Sequence, residues 1–431
     1  KDYILKNLSS ISSFKNTKKI DIASVLPAPN TKEIKNEDEI EYFITNGFTI
    51  VIRGSSILGI ETRADINRGI PTPDTEPAPN GPKDAFTENY QINLGLIKKR
   101  LKSSKLKTDE FTIGRKTLTK VGLLYFEDIA EEETVQLVED KLKKIDIDGI
   151  LDSSMIGQLI SDEDKTRFPT YLITERPDFV SKALLEGKIV IVVDTSPFAL
   201  ILPAFFIDFI NPGIDQYHKS KNINFLKIVR FACFFLSMSV PAIYIALVNY
   251  NQETIPTNLL VSFSIQRDGV PFPSVIEVLI MLFICEMLRE SDLRFPNAYG
   301  SAISILGALV LGDAAVSAGI VSPITIIIIA LTFMASLIFT EIEVSNALRN
   351  LRFIFLFAAA FYGILGLVFA SLYFLIRINK IHSFGKPYFY PLVPFDKTYF
   401  FKTAIKSPLK KDYKRSSILT KTNQTKQGEN V

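Results

Sequence analysis

Hydrophobic residues fall in two regimes along this chain. Short alternating or helical-period runs occupy residues 1–189, and long apolar runs occupy 190–377. In the first regime, YFITNGFTIVIRGSSILGIETR (42–63) reads as two β-rich runs around a turn at Gly54 and Ser55. A proline-rich linker, IPTPDTEPAPNGPK (70–83), holds too few apolar residues to be core and reads as extended. Phe86, Ile92, Leu94, Leu96, Ile97 and Leu101 then recur at helical intervals, which predicts an amphipathic helix over 84–103. TKVGLLYF (119–126) has the apolar density of a buried strand. EDIAEEETVQLVEDKLKKIDID (127–148), acidic at its start and basic at its end, reads as a helix. The segment 148–160, a helix over 173–187 and a strand at 188–194 continue the alternation, so this part is expected to be α/β, with one or two small open sheets.

In the second regime the spans are 228–249, with Pro241 as a kink, 273–290, 323–340 and 353–377. Each is near the length a helix needs to cross a hydrocarbon layer about 30 Å thick. The run 299–321, about half Gly, Ala or Ser, is a fifth span or half of a re-entrant hairpin. VDTSPFALILPAFFIDFI (193–210) carries Asp194, Pro197, Pro203 and Asp208 and is expected to lie in the interface. The fold class expected is therefore an α/β cytoplasmic module followed by an all-α multi-span membrane domain. Lys219, Lys221, Lys227 and Arg230, then Arg289 and Arg294, then Arg349 and Arg352 flank the spans, and the positive-inside rule puts them and the N-terminal module in the cytoplasm. Five spans would export the C-terminal tail, yet its Lys402, Lys406, Lys410, Lys411, Lys414 and Arg415 argue for the inside. The two arguments stay opposed.

Chemistry narrows to a few residues. Gly300, Ser304, Ala308 and Gly312 recur every fourth position, with Gly307 beside them, and offer a smooth helix-packing surface. Three carboxylates, Glu277, Glu286 and Asp313, sit in the apolar block, where charge faces protein or water and not lipid. Glu277, just after Pro271-Phe272-Pro273, suits a helix N-terminus wetted by interfacial water. Glu286 is spaced to pair with Arg289. The two project from nearly opposite faces of one straight helix, so they do not both line one narrow pore. Asp313 fits helix-end solvation and an ion or partner contact equally well.

Composition removes other classes. A net charge of +3 without an arginine-rich patch argues against nucleic acid. Cys233 and Cys285 read as small buried hydrophobes. No phosphate loop, HExxH, CxxC or nucleophile-elbow motif is present, the two histidines, His218 and His382, lie far apart, and no catalytic residue, metal or cofactor is expected.

Three blocks and the tail carry a family resemblance: EPAPNGPKDAFTENYQINLGLIKKRLK (76–102), ITERPDFVSKALLEGKIVIVVDTSPFALILPAFFIDF (173–209), the span from PFPSVIEVL to AGIVSP (271–323), and PYFYPLVPFDKTYFFKTAIKSPLKK (387–411). Together they resemble the A subunit of the GerA family of spore germinant receptors. Asn80-Gly81-Pro82 and Ala85-Phe86 depart from the family's usual Arg-Gly-Pro and Gly-Phe. The resemblance implies a partial first cytoplasmic subdomain over 1–69, with family sequence expected upstream of Lys1. It also implies a linker helix and second subdomain over 70–189, a membrane domain over 190–377 and a basic tail over 378–431. It further implies a non-enzymatic subunit of the spore inner membrane, working with a transporter-like B subunit and a C lipoprotein. Such a subunit would form homo-oligomers, contact membrane lipid and transduce nutrient binding as a ligand-gated cation channel. Asp313, Glu277 and Glu286 become the candidate pore or gating residues, and Gly300, Ser304, Gly307, Ala308 and Gly312 the packing residues. A secondary transporter and a non-conducting scaffold are the competing readings; the lack of a second Gly/Ala-rich segment weighs against the transporter.

Overall fold

A computed structural model describes residues 31–34, 39–40, 43–44, 48–53, 56–61, 71–161, 166–294, 312–339, 341–397, 399–400, 406 and 414–426. The chain divides into two compact units. The first comprises Lys1–Ser161, Tyr171–Pro203 and Tyr413–Val431, the second Asp162–Thr170 and Ala204–Asp412.

In the first unit, β1 (Thr31–Ile34), β2 (Phe48–Arg53) and β3 (Ser56–Glu61) form an antiparallel sheet in the order β1-β3-β2. The β2–β3 pairing is the hairpin that the 42–63 pattern predicts. A five-stranded sheet follows, built from β4 (Leu106–Ile113), β5 (Thr119–Phe126), β6 (Leu172–Thr174), β7 (Ile189–Val193) and β8 (Ala199–Leu202). Its order is β4-β5-β7-β8-β6 and every neighbouring pair is antiparallel. All residues of β7 and β8 are buried. Central strands covered on both faces read as continuous apolar runs, not alternating ones. That is why 199–202, expected in a membrane interface, is instead an inner strand of this sheet. Helices α1 (Tyr90–Arg100), α2 (Glu132–Lys143), α3 (Ser153–Ile160) and α4 (Pro177–Leu185) complete the layers.

The proline-rich linker has no regular structure, yet it is pinned. Glu175 Oε1 accepts from the Thr75 and Glu76 backbone N–H groups at 2.7 and 2.9 Å and from the Thr75 hydroxyl at 2.8 Å. In return, Glu76 Oε2 accepts from the Thr174 hydroxyl at 2.5 Å and the Glu175 N–H at 3.3 Å. Arg176 donates to the Glu76 carbonyl and holds Asp178 at 2.9 Å in a pair only 2% and 8% exposed. A segment poor in apolar residues is thus fixed by satisfying polar groups.

The tail returns to the same unit. Arg415 Nε donates to the Leu185 carbonyl at 2.7 Å, Lys421 pairs with Glu131 at 2.6 Å, and the Thr422 hydroxyl donates to the Asp128 carbonyl at 3.1 Å.

The second unit is helical: α5 (Phe206–Ile210), α6 (Ser220–Asn249), α7 (Thr257–Arg267), α8 (Ser274–Arg294), α9 (Pro323–Ser336) and α10 (Ile342–Asn379). Residues 312–317 are also helical. Its core joins Tyr244, Ile245 and Val248 of α6 to Val278, Met281 and Leu282 of α8, Ile329 of α9 and Leu356 of α10. Among the described residues, α6 and α10 are long and apolar enough to cross a membrane, and α9 is a shorter apolar helix.

Helix α10 is not one rod. Gly363 breaks it at φ 58°, ψ −135°. In a straight helix residues eight apart are separated by about 12 Å, yet a Cβ built on Gly366 would collide with the Ala358 carbonyl oxygen. The chain therefore reverses at Gly363, and the single span expected over 353–377 is two antiparallel arms. The φ > 0 demands glycine. Tyr250 packs against the bend and donates to the freed Ala360 carbonyl at 2.6 Å.

Candidate functional site: a buried polar network in the helical unit

The candidate site lies where α8 meets α9 and α10. Glu277, in the first turn of α8, is 0% exposed. Its Oε2 accepts from the Ser322 N–H at 2.9 Å, the Ser322 hydroxyl at 2.8 Å and the Thr325 hydroxyl at 3.1 Å. Ser322 is the N-cap of α9, so Glu277 supplies from a neighbouring helix the negative charge that an N-terminus favours. Protein donors thus stand where the sequence placed interfacial water. On its other side Glu277 Oε1 lies 3.5 Å from Arg267 Nε at the end of α7, and among the described residues neither atom has a hydrogen-bond partner. The Tyr244 hydroxyl, 3.4 Å from Thr325 Oγ1, ties α6 to the same cluster.

Glu286 faces another neighbour. Its Oε2 is 3.0 Å from Arg349 NH1 of α10 and 3.8 Å from Arg289 one turn on, so the pair with Arg289 is present but looser than the one across helices. Arg289 also lies over the Phe333 ring of α9, 5.4 Å from its centroid. The two carboxylates meet different helices, Glu277 α7 and α9 and Glu286 α10.

A third polar contact was missed from the sequence, although a signal existed. Pro241 inside α6 has no N–H, which leaves the Ser237 carbonyl four residues back without its helical donor. Arg352 of α10, 2% exposed, fills the gap with Nε at 2.8 Å. Reading a proline as an unpaired carbonyl, and not only as a kink, would have asked which donor serves it.

Asp313 is exposed and stands apart from this network. Among the described residues nothing lies within 4 Å of a Cβ at Gly312. Gly300, Ser304, Gly307 and Ala308 lie outside the described residues. Both cysteines are free, and no group of three or more His, Cys, Asp or Glu converges among the described residues. The network offers a buried carboxylate with an incomplete ion pair, joining helices through groups that have alternative partners.

The model of the Bacillus/Clostridium GerA spore germination protein family matches residues 1–418. The chain belongs to the GerA family. Its relatives include Spore germination protein KA of Bacillus subtilis (strain 168), 39% identical over 420 residues, which are 96% of this chain and 77% of that protein. Spore germination protein XA of Bacillus anthracis is 38% identical over 327 residues, 76% of this chain and 66% of that relative. The crystal structure of the N-terminal domain of the A subunit of the Bacillus megaterium spore germinant receptor GerK3 shares 36% identity, covering 41% of this chain and 64% of that one, with a TM-score of 0.32. Within this GerA chain, the reciprocal Glu76 and Glu175 contacts join the 76–102 and 173–209 blocks that carried the resemblance.

Proposed function

We propose that this chain is the A subunit of a nutrient germinant receptor in the spore inner membrane, with its α/β unit cytoplasmic and its helical unit spanning the bilayer. It works beside a transporter-like B subunit and a C lipoprotein, self-associates through the small-residue run that includes Gly307 and Gly312, and passes the nutrient signal on as a gated cation conductance. Membership of a family of spore germination proteins supports the setting, and α6 is long and apolar enough to span.

The observation that carries the transducing role is Glu277. A carboxylate at 0% exposure, bonded to the cap of α9 on one oxygen and only 3.5 Å from an unbonded arginine nitrogen on the other, can trade partners when α7 or α9 shifts. Switching needs such a two-state element, biased by differential contacts. Glu286 and Asp313 complete the acidic set, Asp313 as the exposed group that attracts cations.

The test replaces Glu277 by Gln, which keeps size and hydrogen-bonding capacity but removes the charge. Spores carrying Glu277→Gln should assemble the receptor at wild-type levels and germinate at least severalfold more slowly on nutrient. The purified, reconstituted variant, and Asp313→Asn beside it, should pass less cation current. Wild-type germination and wild-type current in Glu277→Gln would remove this carboxylate from the signalling path.

A further inference from the structure

A cavity of about 770 Å³ opens in the helical unit beside the two arms of α10, away from the Glu277 network. Its lining takes Leu351 and Ile354 from the first arm, Phe374 and Ile378 from the second, and Phe168 from the short segment before the sheet's last strands. The Phe168 and Phe374 rings lie 6.3 Å apart, centroid to centroid. This floor is apolar. The rim is cationic among the described residues: Arg167, Arg377 and Lys380 line the cavity and no described carboxylate does. Among the described residues none of the three forms an ion pair. Asn350 and Tyr373 add an amide and a hydroxyl to the lining.

We infer that this cavity holds the phosphate of an anionic phospholipid headgroup. Three observations select that occupant. First, the volume falls in the range of small-molecule sites, about 300–1,000 Å³. Second, Arg377 and Lys380 stand at the C-terminus of α10, whose backbone dipole repels an anion, so the attraction comes from the side chains; arginine and lysine are the residues suited to a phosphate. Third, Leu365, Phe369, Leu372 and Ile376 are exposed at i, i+4, i+7 and i+11 on the arm that ends at those cations. The stripe lies on the face of that arm turned away from Phe374 and Ile378, at about 100° per residue, so the arm that ends at the cations also presents apolar surface for acyl chains, which a free phosphate would leave uncovered. Basic pockets at the ends of membrane helices bind anionic headgroups by this combination of charge and apolar wall. The inference rests on the membrane placement proposed above.

The full chain, purified in detergent and placed in nanodiscs of phosphatidylglycerol or of phosphatidylcholine, tests it by native mass spectrometry of retained lipid. The wild type should keep phosphatidylglycerol through delipidation and release phosphatidylcholine. The variant Arg167→Gln/Arg377→Gln/Lys380→Gln should lose that preference, roughly fivefold for each cation removed and on the order of 100-fold together. Arg377→Lys, which keeps the charge, should retain the preference and so separates binding from misfolding. Inorganic phosphate at millimolar concentration should not displace the lipid. Equal retention of the two lipids, or retention unchanged in the triple variant, would overturn the site. Thermal protection by inorganic phosphate as strong as by phosphatidylglycerol, and lost in the triple variant, would overturn the lipid in favour of a soluble anion. A chain that stays monodisperse without detergent would sink the membrane reading itself, an outcome visible before any lipid is counted.

Discussion

Glu76 shows how single polar residues shape the first unit. Burial pushes its carboxyl above the ordinary 4.5, against the lowering effect of hydrogen bonds from Thr174 and Glu175. An acid with a higher pKa folded than unfolded holds its proton more tightly in the fold. The charged form therefore carries a penalty that is complete above the folded pKa and disappears below about 4.5. Glu76→Gln should raise the melting temperature at pH 7–8, with the difference from wild type shrinking as pH falls and vanishing below about 4.5. A gain independent of pH would place the effect outside ionisation. Arg352 gives a second test at this scale. Leaving the Ser237 carbonyl unpaired should lower stability by about 1–3 kcal/mol in Arg352→Met. In a Pro241→Ala background the restored N–H serves that carbonyl, so the same change should lose less. Additive losses in the thermal double-mutant cycle would show that Arg352 acts through something other than the proline's orphan acceptor.

Among elements, legibility followed how much of the signal was local. The predicted strand 119–126 is β5 to the residue, and 84–103, 127–148 and 173–187 each contain a helix, shorter than expected at Tyr90–Arg100, Glu132–Lys143 and Pro177–Leu185. The helical period identified them, but their ends depend on caps such as Asn89, whose side chain accepts from Gln91 and Ile92, and a pattern count does not see caps. Strand β4 passed unread because LKTDEFTI is a half-exposed edge, and β8 because its four buried residues look like membrane. The hydrogen-bond partners of Glu277 and Arg352 were illegible for a different reason: they come from helices 45 to 115 residues away. Gly363 was invisible inside an apolar run, since nothing in YGILG announces a reversal when neighbours force it. It also supplies the test. Gly363→Ala puts a Cβ at φ 58° and 2.8 Å from the Tyr250 ring. It should destabilise by at least about 1–3 kcal/mol, read as a lower melting temperature. Gly312→Ala, with nothing within 4 Å among the described residues, should be tolerated by the isolated chain.

At the scale of the molecule, the path of the chain bears on an opposition that charge counting left standing. Five spans would have carried the basic tail to the far side, while its lysines argued for the near side. The tail's Arg415, Lys421 and Thr422 bond to Leu185, Glu131 and Asp128 of the α/β unit, so the chain leaves that unit after Pro203 and comes back to it. If the helical unit crosses a bilayer, as proposed, it crosses an even number of times. On that reading the reversal at Gly363 would supply the extra pass, because it turns one apolar run into an outgoing and a returning arm. The prediction is that residues 414–426 and the α/β unit share one side of the membrane. Ser417 in the tail and Lys116 in the α/β unit are both exposed. Ser417→Cys and Lys116→Cys, each made in a background lacking Cys233 and Cys285, therefore place single reporters on the two segments. In sealed vesicles a membrane-impermeant maleimide should label both or neither, according to vesicle orientation. Labelling of one without the other would require an odd number of crossings and would break the link between the tail and the sheet.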